Sequence, residues 1–192
     1  MITLLFDTET TGLPIWKEPS DSPDQPHIVD IACDLWDTET KERIDTFDAI
    51  INPGVPIPDE VAAIHGITTA IAEEQGIAPL EAHERFLAMV AQADMIAGHN
   101  ISFDIRMQRI AAAKINGEKW ENTLPTYCTM RMSTNICKIL SDKPRHPEHW
   151  KWPKLGEAVQ SLFGEEFEDA HRARPDLDAT TRIYFHLIGL EH

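Results

Sequence analysis

The sequence predicts an α/β sandwich built around a mixed sheet. Three observations carry this: an unbroken apolar segment at the start, "ITLLF" (Ile2–Phe6); two strand-like segments soon after it; and helical periodicities that then alternate with one or two short strands. "ITLLF" is the kind of run found in a strand covered on both faces, which makes it the central strand. "TGLP" (11–14) supplies turn residues, and the polar, proline-rich "WKEPSDSPDQP" (16–26) reads as a surface loop. "IVDIACDLWD" (28–37) alternates, with Val29, Ile31, Cys33 and Leu35 on one face and Asp30, Ala32 and Asp34 on the other. "RIDTFDAIINP" (43–53) follows as a third strand, so the first half reads as a meander.

Two short helices come next, "EVAAIHG" (60–66) and "TAIAEEQG" (69–76), each closed by a glycine. "PLEAHERFLAMVAQA" (79–93) is a longer one, with Leu80, Phe86, Leu87 and Val90 on its apolar stripe, and "DMIAGHN" (94–100) is a short buried strand. A helix from about Ser102 carries Phe103, Met107 and Ile110 at helical spacing, with Asn100 as N-cap and Gly117 as stop. "TMRMSTNICKIL" (129–140) and "KLGEAVQSLFG" (154–164) are further helices, separated by a loop, "SDKPRHPEHWKWP" (141–153). The last helix begins near Pro175, where a missing N–H costs nothing, and runs through Leu177, Tyr184, Leu187 and Ile188.

A chain of 192 residues can bury a single core, and 1–190 read as one domain; the ending "GLEH" suggests that Glu191 and His192 are a tag remnant. Acidic residues outnumber basic ones 32 to 17, and the net charge of −15 repels polyanions at long range. Nucleic acid therefore needs bound cations or local basic patches. The three cysteines, Cys33, Cys128 and Cys137, form no C-x-x-C pair, which argues against a disulfide framework or zinc knuckle and for a reducing, cytoplasmic setting. The N-terminus lacks a basic region before its short apolar run, so no signal peptide is expected, and no stretch reaches membrane-spanning length.

Chemistry enters at three places. In "FDTET", Asp7 and Glu9 are one residue apart on a strand, so both point to one face while Thr8 turns away. Two like charges aimed at one point repel unless a divalent cation lies between them; the same D-x-E is also ordinary solvated loop chemistry. In "AGHNISFDIRMQ", Asp104 falls in a helix's first turn, which suits a helix acid, yet His99 and Asn100 are polar at the end of a buried strand. In "DAHRARPDLDATTR", His171 lies five residues before Asp176, and placing them in a loop and an opening helical turn lets both face one side. A lone histidine is commonly a surface or satisfied core residue, but an imidazole titrating near ~6.5 suits proton transfer.

The order D-T-E-T-T-G, H-N-x-x-F-D, H-x-A-x-x-D closely resembles the three motifs of the DEDDh exonucleases, the DnaQ-like family that includes the proofreading subunit of bacterial replicative polymerase. The resemblance extends from Ile2 to about Leu190 and takes in "IHGIT" (64–68), while "KWPKLGEAVQSLFG" looks like a subgroup of small stand-alone bacterial and phage exonucleases. Pro175 inside the third motif and the length of "SDKPRHPEHW" depart from the family pattern.

The resemblance implies a ribonuclease H-like three-layer fold with a mixed five-stranded sheet flanked by helices. It implies that Asp7, Glu9, Asp104 and Asp176 bind two divalent ions and that His171 is the general base, with 5′-nucleoside monophosphates released from a 3′ end. Oxygen-only ligands favour Mg²⁺ or Mn²⁺ over zinc. Thr10, Thr11, Gly12 and Leu13, with His65, Asn100 and Phe103, would line the pocket for the terminal nucleotide. The charge of −15 favours a short single-stranded end over a long duplex, and the resemblance implies DNA before RNA. RNA trimming and a non-catalytic binding module are the alternatives, and a DNA polymerase is a candidate partner. In "KPRHPEHWKWPK", Lys143, Arg145, Lys151 and Lys154 alternate with Trp150 and Trp152, a pattern that can hold a single strand; equally, Trp152 before Pro153 can anchor the loop to the core.

Overall fold

The computed structural model describes residues 1–117, 119–141, 150–167 and 171–190. Glu191 and His192, and Lys143 and Arg145 of the basic loop, lie outside the described residues. Five strands form one mixed sheet in the order β3-β2-β1-β4-β5. They are β1 (Ile2–Thr10), β2 (Ile28–Asp37), β3 (Glu42–Ile50), β4 (Met95–Gly98) and β5 (Thr126–Cys128). The first three are an antiparallel meander, and β4 and β5 continue the sheet parallel to β1. The apolar opening segment is indeed central.

One face of the sheet is covered by α3 (Pro79–Val90) and α4 (Ile101–Asn116), where Leu4, Phe6, Ile31, Cys33 and Leu35 meet Phe86, Met89, Met107 and Ile110. The other is covered by α7 (Ala173–Leu190), where Leu5, Ala32 and Ala97 meet Leu177 and Tyr184. Behind α7 packs α6 (Leu155–Phe163); α5 (Thr129–Cys137) follows β5, and α1 (Asp59–His65) and α2 (Thr69–Gln75) close over Val29 and Ile50. Among the described residues no helix is long and apolar enough to cross a membrane.

Several local expectations need correction. The apolar stripe of α3 is Ala82, His83, Phe86 and Met89, with Leu87 and Val90 at its flank, while Leu80 is 47% exposed because it falls outside that arc. Gly76 ends α2 without a left-handed φ; glycine is needed there because a Cβ would sit 2.4 Å from Ala72 O and 2.5 Å from Asn52 N. Asn100 occupies the cap position of α4, but in the left-handed conformation (φ 68°) and without a side-chain capping bond. Pro175 lies inside the first turn of α7, which starts upstream at Ala173.

The acidic face of β2 is buried, not solvated. Asp30 and Asp34 are covered by the start of α7, which brings its own counter-charges. Arg172 Nε donates to Asp30 Oδ2 at 2.7 Å, and the Ala173 N–H to the same oxygen at 3.2 Å. Arg174 spans both oxygens of Asp34 at 2.9 and 3.0 Å and reaches Thr46 Oγ1 and the Phe47 carbonyl on β3. These pairs latch the last helix to the meander.

Removing one partner of a buried ion pair leaves an uncompensated charge. Asp34, 1% exposed, is therefore expected to cost ~3 kcal/mol when replaced in Asp34→Ala, a Tm loss of about 6–12 °C for a chain of this size. Arg43→Ala, which removes only Asp34's exposed second partner at 3.3 Å, should cost under ~1 kcal/mol. Thermal melts of both variants check this.

Candidate active site

The parallel strands β1, β4 and β5 end at one edge of the sheet. There the apolar run of β1 gives way to Asp7 and Glu9, and the pairing register with β2 shifts between Glu9 and Thr10. Asp7 and Glu9 share strand parity with Leu5, which packs on the α7 side, whereas Leu4, Phe6 and Thr8 face α3 and α4. Thr8 turns away from the two acids, as the spacing requires, and has work of its own there. Its N–H and Oγ1 both donate to Asp104 Oδ1, at 3.0 and 2.8 Å.

Asp104 is in the first turn of α4 and 2% exposed; Asp176 is in the first turn of α7 and 9% exposed. Both carboxylates thus sit at the positive ends of helices. His171 lies just before α7 at a left-handed φ of 40°. Glu9, His171 and Asp176 each bring a ligand atom within 4.8 Å of the others'.

The electrostatics tie all the acids into one cluster. Burial pushes Asp7 well above the usual carboxylate range, and Asp104, Glu9 and Asp176 push it further. Glu9 is raised to about 8 by burial and then by Asp176, Asp30 and Asp104, with Arg172 opposing. Asp104 is raised to about 7 by burial, against which the Thr8 bonds act. Such a cluster of oxygen donors, mutually repelling and only partly countered by Arg172, fits hard divalent cations.

The residues expected to line a nucleotide pocket differ in their freedom. Leu13 is 81% exposed. Thr10 Oγ1 donates to Gly12 O at 2.7 Å, and Thr11 Oγ1 accepts the His27 N–H at 2.9 Å, so both hydroxyls are engaged in shaping the turn. His65 is buried and lowered in pKa by that burial; its Nδ1 accepts the Ile67 N–H at 3.1 Å, so the neutral ring carries its proton on Nε2. Asn100 accepts from Ser102 at 3.3 Å, and Phe103 packs partly against the core. In the basic loop the buried anchor is Pro153, while Trp152 is 58% exposed, contrary to the reading of Trp152 as the anchor. Sequence reasoning did not find Thr8, Asp30 or Arg172; an acid in mid-strand on β2 was the available signal for the last two.

The RNase_T exonuclease family model matches residues 4–184, and the chain belongs to that DnaQ-like exonuclease family. It is 28% identical over 187 residues to the PolC-type DNA polymerase III of Caldanaerobacter subterraneus subsp. tengcongensis, covering 96% of this chain and 11% of that protein. It is 37% identical over 134 residues to a DNA polymerase III subunit epsilon-like protein of Rhodobacter capsulatus, covering 69% of this chain and 17% of that protein. The chain therefore spans only a minor part of these relatives' length. E. coli exonuclease I in complex with a dT13 oligonucleotide superimposes with a TM-score of 0.69 at 18% identity, over 97% of this chain and 40% of that one. The fold is ribonuclease H-like, as the motifs implied.

Glu9, Asp104 and Asp7 hold protons in the metal-free fold that the unfolded chain has already lost, so their contribution to stability is present at low pH and lost as pH rises through their folded values. His27, His65 and His99, all lowered from 6.5, work in the opposite direction only below that value. Between pH 6.5 and about 8.5 in EDTA, Tm should fall by ~5 °C or more, and Asp7→Asn should flatten the slope. Saturating Mn²⁺ should raise Tm more at the alkaline end. Differential scanning calorimetry reads all three.

Proposed function

We propose that residues 1–190 form one 3′-5′ exonuclease domain that hydrolyses single-stranded DNA ends to 5′-nucleoside monophosphates with two bound Mg²⁺ or Mn²⁺ ions. The observation that carries this reading is the convergence of Asp7, Glu9, Asp104 and Asp176, from three separated parts of the chain, at one strand edge with His171 beside them. Asp7, Glu9, Asp104 and Asp176 would hold the ions, which when bound would supply charge neutralisation at the scissile phosphate and a more acidic water.

The protein's own contribution is placement and proton handling. His171, within 4.8 Å of Glu9 and Asp176 atoms, accepts the water's proton on a ring nitrogen, and the two carboxylates orient and then stabilise the resulting imidazolium. The Asp30 and Asp34 ion pairs fix where α7 begins and so where His171 and Asp176 stand. Leu13, exposed on the turn after β1, and Phe103, Asn100 and His65 border the pocket for the terminal nucleotide, with Thr10, Thr11 and Gly12 holding the turn's shape. DNA as substrate and a DNA polymerase as partner are supported by the relatives' names and by the oligonucleotide bound to exonuclease I. Free cysteines suit a reducing, cytoplasmic setting.

A 5′-labelled single strand incubated with Mn²⁺ should shorten stepwise from its 3′ end and stay intact in EDTA. His171→Ala should lower kcat by ~10²-fold or more with KM little changed, the loss typical of a missing general base. A matched RNA strand degraded faster than the DNA would transfer the reading to an exoribonuclease, and a wild-type protein that leaves both intact would end it.

A further inference from the structure

The edge that carries the acids continues past β4 to β5, and a second set of side chains is assembled there. His99 directly follows β4 and precedes the helix bearing Asp104. Its Nε2 donates to the Pro153 carbonyl at 3.0 Å, and its Nδ1 lies 2.9 Å from Thr129 Oγ1 at the start of α5. One half-buried imidazole thus joins β4, α5 and the 150–154 segment. The pinning is at Pro153, which is buried, and the neighbours on either side, Trp152 and Lys154, are turned outward.

Trp152 is not a packing residue left stranded on the surface. The Arg131 guanidinium lies over its ring, 5.4 Å from the centroid, which fixes the indole's orientation. Lys151 is drawn to Glu157, whose other oxygen accepts the Lys154 N–H at 2.9 Å, so the segment enters α6 in a defined conformation. Among the described residues neither Arg131 nor Lys154 forms an ion pair. An exposed aromatic ring with one cation over it and a second two residues along the chain, tied through His99 to the strand that leads into the helix bearing Asp104, is an arrangement that can hold a nucleobase by stacking on the ring's other face and its phosphates by charge. On a protein of net charge −15 such a grouping of cations around an exposed indole is a local exception.

We propose that Trp152, Arg131 and Lys154 form a stacking site for a single-stranded DNA substrate upstream of its 3′ end, with His99 as the positioning residue that pins the site to β4. This rests on the exonuclease reading and adds the path of the strand to it. The site reads no sequence, because every base has a face to stack. It engages only strands long enough to reach from the acids to the indole.

Binding is measured on labelled oligothymidylate of about 12 nucleotides, within the ~4–16 that such grooves accommodate, in Ca²⁺ so that binding is read without turnover. Trp152→Ala should weaken Kd, and raise KM with Mn²⁺, by ~5- to 100-fold, the range for loss of one stacked base. Trp152→Phe should recover most of it, since a phenyl ring still stacks. On an oligomer whose upstream nucleotides are abasic, the difference between Trp152→Ala and wild type should vanish, which loss of structure alone would not produce. A Kd within twofold of wild type on oligothymidylate, or the same penalty on the abasic strand, overturns the site. Wild-type protein that binds oligothymidylate but never shortens it in Mn²⁺ would instead overturn the exonuclease reading and leave the stacking site measurable on its own.

Discussion

The molecule is organised around a repulsion. Asp7, Glu9 and Asp104 are gathered with Asp176 at one strand edge; burial raises the cost of charge on the first three, and proximity adds to it at Asp7 and Glu9. Among the described residues Arg172 offsets that cost only in part. Thr8 gives Asp104 two hydrogen bonds, and the helix ends at α4 and α7 contribute partial positive charge, yet the cluster remains well above ordinary carboxylate values. The arrangement persists because its supports are stiff: β1 is buried on both faces between two helical layers, so the strand that presents Asp7 and Glu9 cannot bend away to relieve them.

The same logic explains the latch between α7 and the meander. His171 adopts a left-handed backbone at φ 40°, a conformation a non-glycine residue holds only when its neighbours impose it. Arg172 and the Ala173 N–H, both on Asp30, fix the chain immediately after that residue, and Arg174 on Asp34 fixes it again one turn on. The loop residue is thereby specified by ion pairs made one and three residues downstream, and Asp176 follows in the same turn. Buried acids on β2 thus serve the exposed imidazole at one remove.

Much of this was legible in the sequence, for identifiable reasons. A short run apolar at all but Thr3 reads as a strand covered on both faces, which places β1 centrally, and D-x-E at its end gives the facing of two acids by parity. Parity says less about the other acids. Asp30 and Asp34 share a face of β2 with Ala32, but the arginines that cover them, Arg172 and Arg174, are 140 or more residues away and no local pattern announces them. Three-residue β5 has no periodicity of its own and exists through pairing with β4. In "KWPK" a tryptophan is the obvious candidate to be buried, yet the proline is inside, its carbonyl bonded across 54 residues by His99, and the indole is outside.

How a protein carrying fifteen excess negative charges could hold a polyanion, as proposed, turns on where its cations are spent. Arg85, Arg109, Arg172, Arg174 and Arg182 are committed to carboxylates of the chain itself. They stabilise the scaffold and contribute little net positive field. On the proposed reading, a phosphate approaching the acid edge would meet repulsion that bound divalent ions would invert. Metal occupancy, relief of the strand-edge repulsion and attraction of the substrate would then be one event, and stacking on an exposed indole would hold the rest of the strand without a basic groove having to compete with fifteen charges.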